Sequence, residues 1–216
     1  MAQASLALLD RDGIARFSLR RLADYLGVTP MALYNHVDSK GDLLQAVAEM
    51  ILAEADYQPT SDDWRDMLRG CFRTLRATCL AHPSAAPLIQ SADVLPSDVF
   101  RPMEIVVSAL RSAGMNPVDA AHTYFVLMTF TLGQVRQQVK GWSHGVDPSA
   151  ALREGRIDEG GFPSVTAAVA AEQLDLNEIF ELGLNLILAG IESQLGMVQT
   201  AQPRLRLSDS PTTPGA

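Results

Sequence analysis

Apolar residues recur at helical spacing along most of the chain, and the sequence contains no alternating strand pattern. Between residues 117 and 140, apolar positions follow one another at intervals of three and four and form one continuous stripe: Val118, Ala121, Phe125, Met128, Leu132, Val135 and Val139. Tyr124, Leu127 and Phe130 add a second apolar side, so we expect this helix to be buried on two sides. The pattern predicts an all-α fold.

The same periodicity predicts helices over residues 2–10, 39–55, 62–82, 97–113 and 175–195, and a short helix within 84–96. Pro59, Pro83 and Gly114 mark the breaks between several of them. Residues 141–162 read as a long loop. The tail from Gly196 is rich in proline and poor in apolar residues, so residues 196–216 are expected to be disordered.

Helix start and stop signals are densest between Ser18 and Leu44. Ser18 is placed to cap a helix that Gly27 ends, because glycine reaches the left-handed conformation of a helix C-terminus. We expect Val28 to turn inward after it. The inward face of this helix is predicted to carry Leu19, Leu22, Ala23 and Leu26.

A second short helix follows at once. Thr29 caps it, Pro30 takes its first position, and Leu33 and Val37 face the core. Ser39, with Asp42 three residues later, is a capping box for the next helix. Two short helices joined by a tight glycine turn form a helix-turn-helix, whose second helix fits the major groove of DNA. The alternative is that these are ordinary amphipathic helices of an all-α protein.

The run from Phe17 to Leu44 resembles the DNA-binding domain of the TetR family of bacterial transcriptional regulators. The resemblance is carried by Leu22-Ala23, Leu26-Gly27-Val28, Leu33-Tyr34 and Ser39-Lys40. It implies an N-terminal three-helix helix-turn-helix domain that binds double-stranded operator DNA, followed by a C-terminal helical domain for ligand binding and dimerisation. Family members often begin with a longer basic arm, whereas here no Lys or Arg precedes Arg11. The difference indicates either that the N-terminus makes no minor-groove contact or that the chain is short at its start.

The DNA-binding residues implied by the resemblance lie in and around the second helix. Asn35 and His36 are expected to contact bases or phosphates, Lys40 a phosphate, and Arg20 either a base or the backbone. Tyr34 flanks the helix, where its hydroxyl can reach a phosphate. The full candidate set is Ser18, Arg20, Thr29, Pro30, Met31, Ala32, Tyr34, Asn35, His36 and Lys40.

The rest of the chain resembles the ligand domain of the tetracycline repressor, from which the family takes its name. Trp64 to His82 and the run Phe130-Thr131-Leu132-Gly133 carry this resemblance. Where that repressor holds drug and metal with histidine, asparagine and glutamate, this sequence offers Asp56, Cys71, Ile89 and Gln137. A magnesium–tetracycline complex is therefore not expected.

We expect instead a largely apolar pocket for a small-molecule effector. Its candidate residues are Met67, Cys71, Phe72, Leu75, Ile89, Met103, His122, Phe125 and Met128. Each of them is as compatible with a structural place in the core as with ligand contact.

Charge separates two parts of the chain. Residues 1–45 carry five basic and five acidic residues, whereas the remainder carries the whole net charge of −8. The negative charge of the rest of the chain discourages its contact with DNA, whereas the neutral DNA-binding domain is free to approach it. Two cysteines, no signal peptide and no apolar run long enough for a membrane lead us to expect a cytoplasmic protein without a membrane partner.

We expect neither catalysis nor a cofactor. Its four histidines and two cysteines lack metal-ligand spacing, and it has neither a phosphate-binding glycine loop nor a nucleophile elbow. We expect a homodimeric repressor, with residues 1–45 binding DNA and residues 46–195 binding ligand and partner. Residues 117–140 and 177–195 should form the dimer's four-helix bundle, with close approach at Gly183 and Gly190. The alternative function is that of a DNA-binding structural protein that senses no ligand.

Overall fold

The computed structural model describes residues 1–57, 61–89, 100–140, 151, 154–156, 161–171 and 175–201, and this part of the chain contains helices but no strand. The α-helices are α1 (Ala2–Asp12), α2 (Leu19–Leu26), α3 (Pro30–Tyr34), α4 (Lys40–Ala53), α5 (Trp64–Ala81), α6 (Ala85–Ile89), α7 (Phe100–Ser112), α8 (Pro117–Lys140), α9 (Pro163–Ala171) and α10 (Leu176–Ala201). A 3₁₀ turn at Ile14–Arg16 joins α1 to α2. The predicted all-α fold is confirmed.

Helices α1 to α4 form a small N-terminal unit, which we call the head. Leu8, Leu9, Leu22, Leu33 and Leu43 are almost completely buried in its core. The predicted inward positions of α2 are correct at Leu19, Leu22 and Ala23.

The prediction was wrong at Leu26 and Val28, whose side chains are 39% and 44% exposed. Both residues flank Gly27, which adopts the left-handed conformation in a surface turn. The chain reverses there, so neither neighbour of the glycine is directed into the core.

Helices α5, α7 and α8 pack against one another as the centre of the remaining chain, which we call the body. Leu68, Phe72, Leu110 and Leu127 are fully buried between them. The ring of Tyr124 lies 6.1 Å from that of Phe72, which places this face of α8 against α5.

The long apolar stripe predicted for α8 is divided between the interior and the surface. Within one chain its buried residues are Ala120, Tyr124, Leu127, Thr131, Leu132 and Val135. Val118, Phe125 and Val139 of the predicted stripe are instead 62%, 54% and 39% exposed. The expectation of burial on two sides therefore does not hold within a single chain, because α5 and α7 cover only one face of the helix.

Helix α10 crosses the body beside α8 and runs to Ala201 rather than ending at Leu195 as predicted. Residues 202–216, which complete the predicted disordered tail, lie outside the described residues, as does most of the predicted loop at 141–162. Phe180 of α10 stacks on Phe130 of α8 with ring centroids 5.7 Å apart. A row of α5 arginines reaches α10, including Arg73, which donates two hydrogen bonds to Glu181 at 2.9 and 2.6 Å.

Gly183 of α10 lies close to the side chain of Phe130 on α8 in the same chain. A methyl group added there would lie 2.6 Å from Cε2 of Phe130 and closer still to its Cζ. At Gly190 nothing in the described chain lies within 4 Å of such a group. The predicted thin strip on α10 is thus occupied at Gly183 by the chain's own Phe130, whereas the surface at Gly190 is open.

Candidate nucleic-acid interface and effector-binding residues

Local hydrogen bonds build the helix-turn-helix as the sequence predicts. Ser18 has extended backbone angles, and its Oγ accepts a hydrogen bond from the Arg21 amide at 3.3 Å. Gly27 ends α2 with φ 68° and ψ 30°, and the Val28 amide donates to the Ala23 carbonyl at 3.0 Å.

The second helix is capped in the same way. Thr29 Oγ1 accepts from the Ala32 amide at 3.3 Å, and Pro30 opens α3. Ser39 Oγ accepts from the Asp42 amide at 3.1 Å to start α4. Because the caps fix both ends of the turn, α3 is held with Leu33 as its buried residue and its other side in solvent.

The candidate DNA-binding residues lie at the surface of this unit. Met31 is 73% exposed and Tyr34 is 53% exposed, while Ser18 and Ala32 are half-buried. The remaining candidates are exposed: Arg20, Thr29, Pro30, Asn35, His36 and Lys40. The solvent side of α3 and the first turns of α2 and α4 therefore present these side chains together.

Lys40 has a partner that sequence analysis did not anticipate. Its Nζ lies 5.9 Å from the ring centroid of the buried Phe17. A cation–π contact of this kind offsets part of the unfavourable position of a lysine at a helix N-terminus. The same contact holds the ammonium group close to the start of α2.

Two arginines of the head are engaged within the head itself. Arg21 donates to Asp12 at 2.8 Å and to the Arg16 carbonyl at 3.4 Å, and Arg11 also donates to Asp12. The hydrogen bond from Arg11 lowers the pKa of the Asp12 carboxyl. Arg20, in contrast, has no ion-pair partner among the described residues.

The structure separates the candidate effector-binding residues into two groups. Cys71, Phe72 and Leu75 are buried between α5 and its neighbours, with Met67, Ile89, Met103 and Met128 half-buried beside that core. His122 and Phe125 are exposed. His122 lines a surface groove of about 480 Å³ between α8 and α10, together with Val126, Ile187 and Gly190. These two candidates thus lie outside the interior group, because their face of α8 is turned away from α5.

The interior contains polar atoms that sequence analysis missed. Tyr57 is 7% exposed, and its hydroxyl has no hydrogen-bond partner among the described residues. Burial raises the pKa of Tyr57 and of Tyr124, so both phenols stay neutral. The Thr131 hydroxyl is also buried without a partner in the described chain. The only sequence signal for Tyr57 was its place beside Asp56, one of the positions aligned with the repressor's drug ligands.

The thiols are buried as well. Burial raises the pKa of Cys71 and of Cys79 to about 12. Cys71 Sγ donates weakly to the Pro102 carbonyl at 3.9 Å. Both side chains therefore behave as neutral, unreactive core residues.

Within the described ranges no group of three His, Cys, Asp or Glu residues is arranged to hold a metal ion.

Comparison with known proteins assigns both parts of the chain. Residues 2–47 match the profile described as bacterial regulatory proteins, tetR family. Residues 58–195 match the profile described as tetracyclin repressor-like, C-terminal domain.

None of the described helices is long and apolar enough to cross a membrane.

Individual relatives match most of the chain. The class A tetracycline repressor protein from transposon 1721 of Escherichia coli is 31% identical over 93% of this chain and 92% of its own length. The structure of ActR from Streptomyces coelicolor in complex with actinorhodin matches with a TM-score of 0.73 and 28% identity over 90% of this chain and 96% of that one. A structure of BioQ with its double-stranded DNA operator matches with a TM-score of 0.58 and 28% identity over 79% of this chain and 96% of that one.

Proposed function

The chain belongs to the TetR family of transcriptional regulators, and from that premise we propose that it binds a near-palindromic operator as a homodimer and represses transcription. A small, largely apolar effector releases it from the DNA. Residues 1–45, which end within α4, form the DNA-binding unit, and residues 46–195 bind the effector and the second subunit. The observation that carries the proposal is the capped helix-turn-helix whose α3 leaves its polar side in solvent.

DNA reading is assigned to the exposed side of α3. Asn35 and His36 reach base edges or phosphates from the end of the helix, and Met31 supplies an apolar surface for a thymine methyl group. Lys40 and Arg20 neutralise phosphates at the starts of α4 and α2. The complex of BioQ with its operator supports DNA binding in a related chain.

Dimerisation is assigned to the outward faces of α8 and α10. Apolar side chains are strongly exposed there: Val118 at 62%, Phe125 at 54%, Val126 at 56%, Leu182 at 61% and Leu186 at 65%. Exposed apolar residues concentrated on two adjacent long helices favour an interface that a second copy covers across a two-fold axis. The four helices of the two copies then form a bundle.

The effector site is assigned to the interior between α5, α7 and α8. Met67, Met103 and Met128 are half-buried against this core, and methionine adapts readily to ligands of irregular shape. The unpartnered hydroxyl of Tyr57 offers one polar contact, since a buried donor without a partner gains free energy when a ligand accepts its hydrogen bond. The ActR complex with actinorhodin supports effector binding in a related chain.

Effector binding changes operator affinity through α4, which belongs to the head but packs on α1 and on α6 of the body. A change in the angle of α4 alters the separation of the two α3 helices in the dimer. Coupling is reciprocal, so the effector binds the free protein more tightly than the DNA-bound protein.

The proposal is tested by selecting duplexes from random DNA with the purified protein and footprinting the selected sites. Two protected half-sites with centres about 34–36 Å apart are expected. Protection of one unpaired site by a monomer contradicts the dimer. Binding without sequence preference supports the alternative of a structural DNA-binding protein.

The interface is tested separately with Leu186→Glu, which places a charge in the proposed bundle. Light scattering should report a monomer that keeps its helical circular dichroism. Phe162→Glu is the matched control, because Phe162 is 58% exposed but lies outside α8 and α10. A Leu186→Glu variant that remains fully dimeric contradicts this interface.

A further inference from the structure

A polar cluster joins the head to the body where four helix ends meet. Asp10 lies in the last turn of α1, and Glu54 directly follows α4. His82 directly follows α5, and Ser84 precedes α6. Asp10 belongs to the head and Glu54 directly follows its last helix, whereas His82 and Ser84 belong to the body.

The central contact is between Asp10 and Ser84. Oδ1 of Asp10 accepts the backbone N–H of Ser84 at 3.0 Å and its hydroxyl at 2.6 Å. Ser84 is 4% exposed, and the Asp10 side chain is 25% exposed. Two hydrogen bonds to one carboxylate oxygen, at a largely buried donor, are stronger and more specific than a surface ion pair.

The sequence of α6 explains why a distant carboxylate is used. In a capping box, an acidic or amide side chain at the third helical position accepts the N–H of the capping residue. In α6 that third position is Pro87, which has no such side chain and no N–H of its own. Asp10 supplies the missing acceptor from α1, so the start of a body helix is completed by the head.

His82 adds a second connection. Its Nε2 lies 2.8 Å from Oε2 of Glu54, and its Nδ1 lies 3.7 Å from Oδ2 of Asp10. The Glu54 side chain is 54% exposed, so this contact contributes less than the pair formed by Asp10 and Ser84. Together the contacts fix the ends of α1 and α4 relative to the start of α6.

We propose that Asp10 is a positioning residue that sets the angle of the DNA-binding head on the body by capping α6 from α1. The inference rests on the proposed function, since the head angle determines the separation of the two α3 helices and hence the half-site spacing that a dimer accepts. Without the Asp10 carboxylate the head samples a wider range of angles. The protein then loses affinity for the best-spaced operator and discriminates less against other spacings.

The DNA test compares the selected palindrome with versions in which the half-sites are one base pair closer or farther apart. Asp10→Ala should weaken binding to the best-spaced duplex by about tenfold. The ratio between its affinity for that duplex and its affinity for the altered spacings should become smaller. Asp10→Asn should restore most of the affinity and the spacing preference, because the amide oxygen still accepts from Ser84. Glu49→Ala is the charge-matched control, since Glu49 accepts a hydrogen bond from Gln45 of the same helix.

A second measurement does not depend on DNA. Spin labels are attached at Asp24→Cys in the head and Ser108→Cys in the body, both exposed positions, and the labelled chain is diluted into unlabelled protein. The native cysteines are buried and should not take the label in the folded protein. The label-to-label distance distribution should broaden in Asp10→Ala and stay narrow in Asp10→Asn and Glu49→Ala.

The outcomes separate this inference from the proposed function. If the wild-type protein selects no palindromic duplex, the proposed function fails and the distance distributions alone decide the role of Asp10. An Asp10→Ala variant that matches Glu49→Ala in distance distribution, and in spacing preference where an operator is found, overturns the inference. An equal loss of affinity at every spacing with an unchanged distance distribution also overturns it.

Discussion

Replacing Gly183 by alanine should destabilise the protein, although alanine is the better helix former. Gly183 lies inside α10, where exchange of glycine for alanine gains about 1 kcal/mol in helix propensity. The new methyl group would lie 2.6 Å from Cε2 of Phe130, whereas Cβ atoms essentially never approach another heavy atom within 3.0 Å. The substitution therefore forces either the Phe130 ring or α10 to move.

The Phe130 ring has little freedom to move away. It stacks on Phe180 of α10 at a centroid distance of 5.7 Å and an interplanar angle of 12°. The Phe180 ring is itself held by Arg76, whose guanidinium lies 4.7 Å from the ring centroid. Overpacking of this kind costs about 1–3 kcal/mol. After the gain in propensity, Gly183→Ala should lower the free energy of unfolding by about 1 kcal/mol.

Gly190 provides the matched control in the same helix. An added methyl group meets nothing within 4 Å there in the described chain, so Gly190→Ala should gain about 1 kcal/mol when both glycine variants are made in the Leu186→Glu background, in which no partner subunit covers Gly190. The two variants should differ by about 2 kcal/mol, measured by urea denaturation at several protein concentrations because dimerisation adds to the apparent stability. In a Phe130→Leu background the penalty at position 183 should largely disappear. A Gly183→Ala variant as stable as Gly190→Ala refutes the steric reasoning.

Further predictions concern the DNA contacts and the thiols. Lys40→Ala should weaken binding to all duplexes and reduce the slope of log affinity against log salt by about one unit, whereas changes at Asn35 or His36 should alter the preferred sequence. Equal salt slopes for Lys40→Ala and wild type contradict the phosphate contact. Cys71 and Cys79 should react with a disulfide reagent only upon unfolding. Their pKa values are raised from 9.0 to about 12, so the free energy of unfolding should fall as the pH rises above about 9, where the unfolded thiols ionise first. Thiols titrating at their ordinary pKa in the folded protein contradict the burial of both side chains.

The features that the sequence predicted correctly depend on neighbours a few residues away. The caps at Ser18, Thr29 and Ser39 each join a side chain to an amide three residues later. The left-handed turn at Gly27 follows from the glycine itself. Because these interactions are local, the helix-turn-helix and the exposed side of α3 could be predicted without knowledge of the tertiary fold.

The errors arise where burial depends on which distant element covers a residue. Apolar spacing identified α8 as a helix but did not show that α5 and α7 cover Tyr124 and Leu127 while Phe125 stays exposed. For the same reason the candidate effector residues divide between the interior and the surface. The roles of the individual DNA-binding and effector-binding residues stay predictions. The same holds for the helices assigned to the dimer interface.

By itself the sequence determined the caps of the helix-turn-helix, the family of the chain and most of its helices, because periodicity and capping act over one or two helical turns. It did not predict α9 or the extension of α10 to Ala201. Only the tertiary structure decided that Phe130 occupies the space at Gly183 and that Asp10 completes the start of α6. Asp10 and Ser84 are 74 residues apart, and neither carries a local signal of the other. Such contacts depend on the packing of whole helices, which fixes positions that no short stretch of sequence encodes.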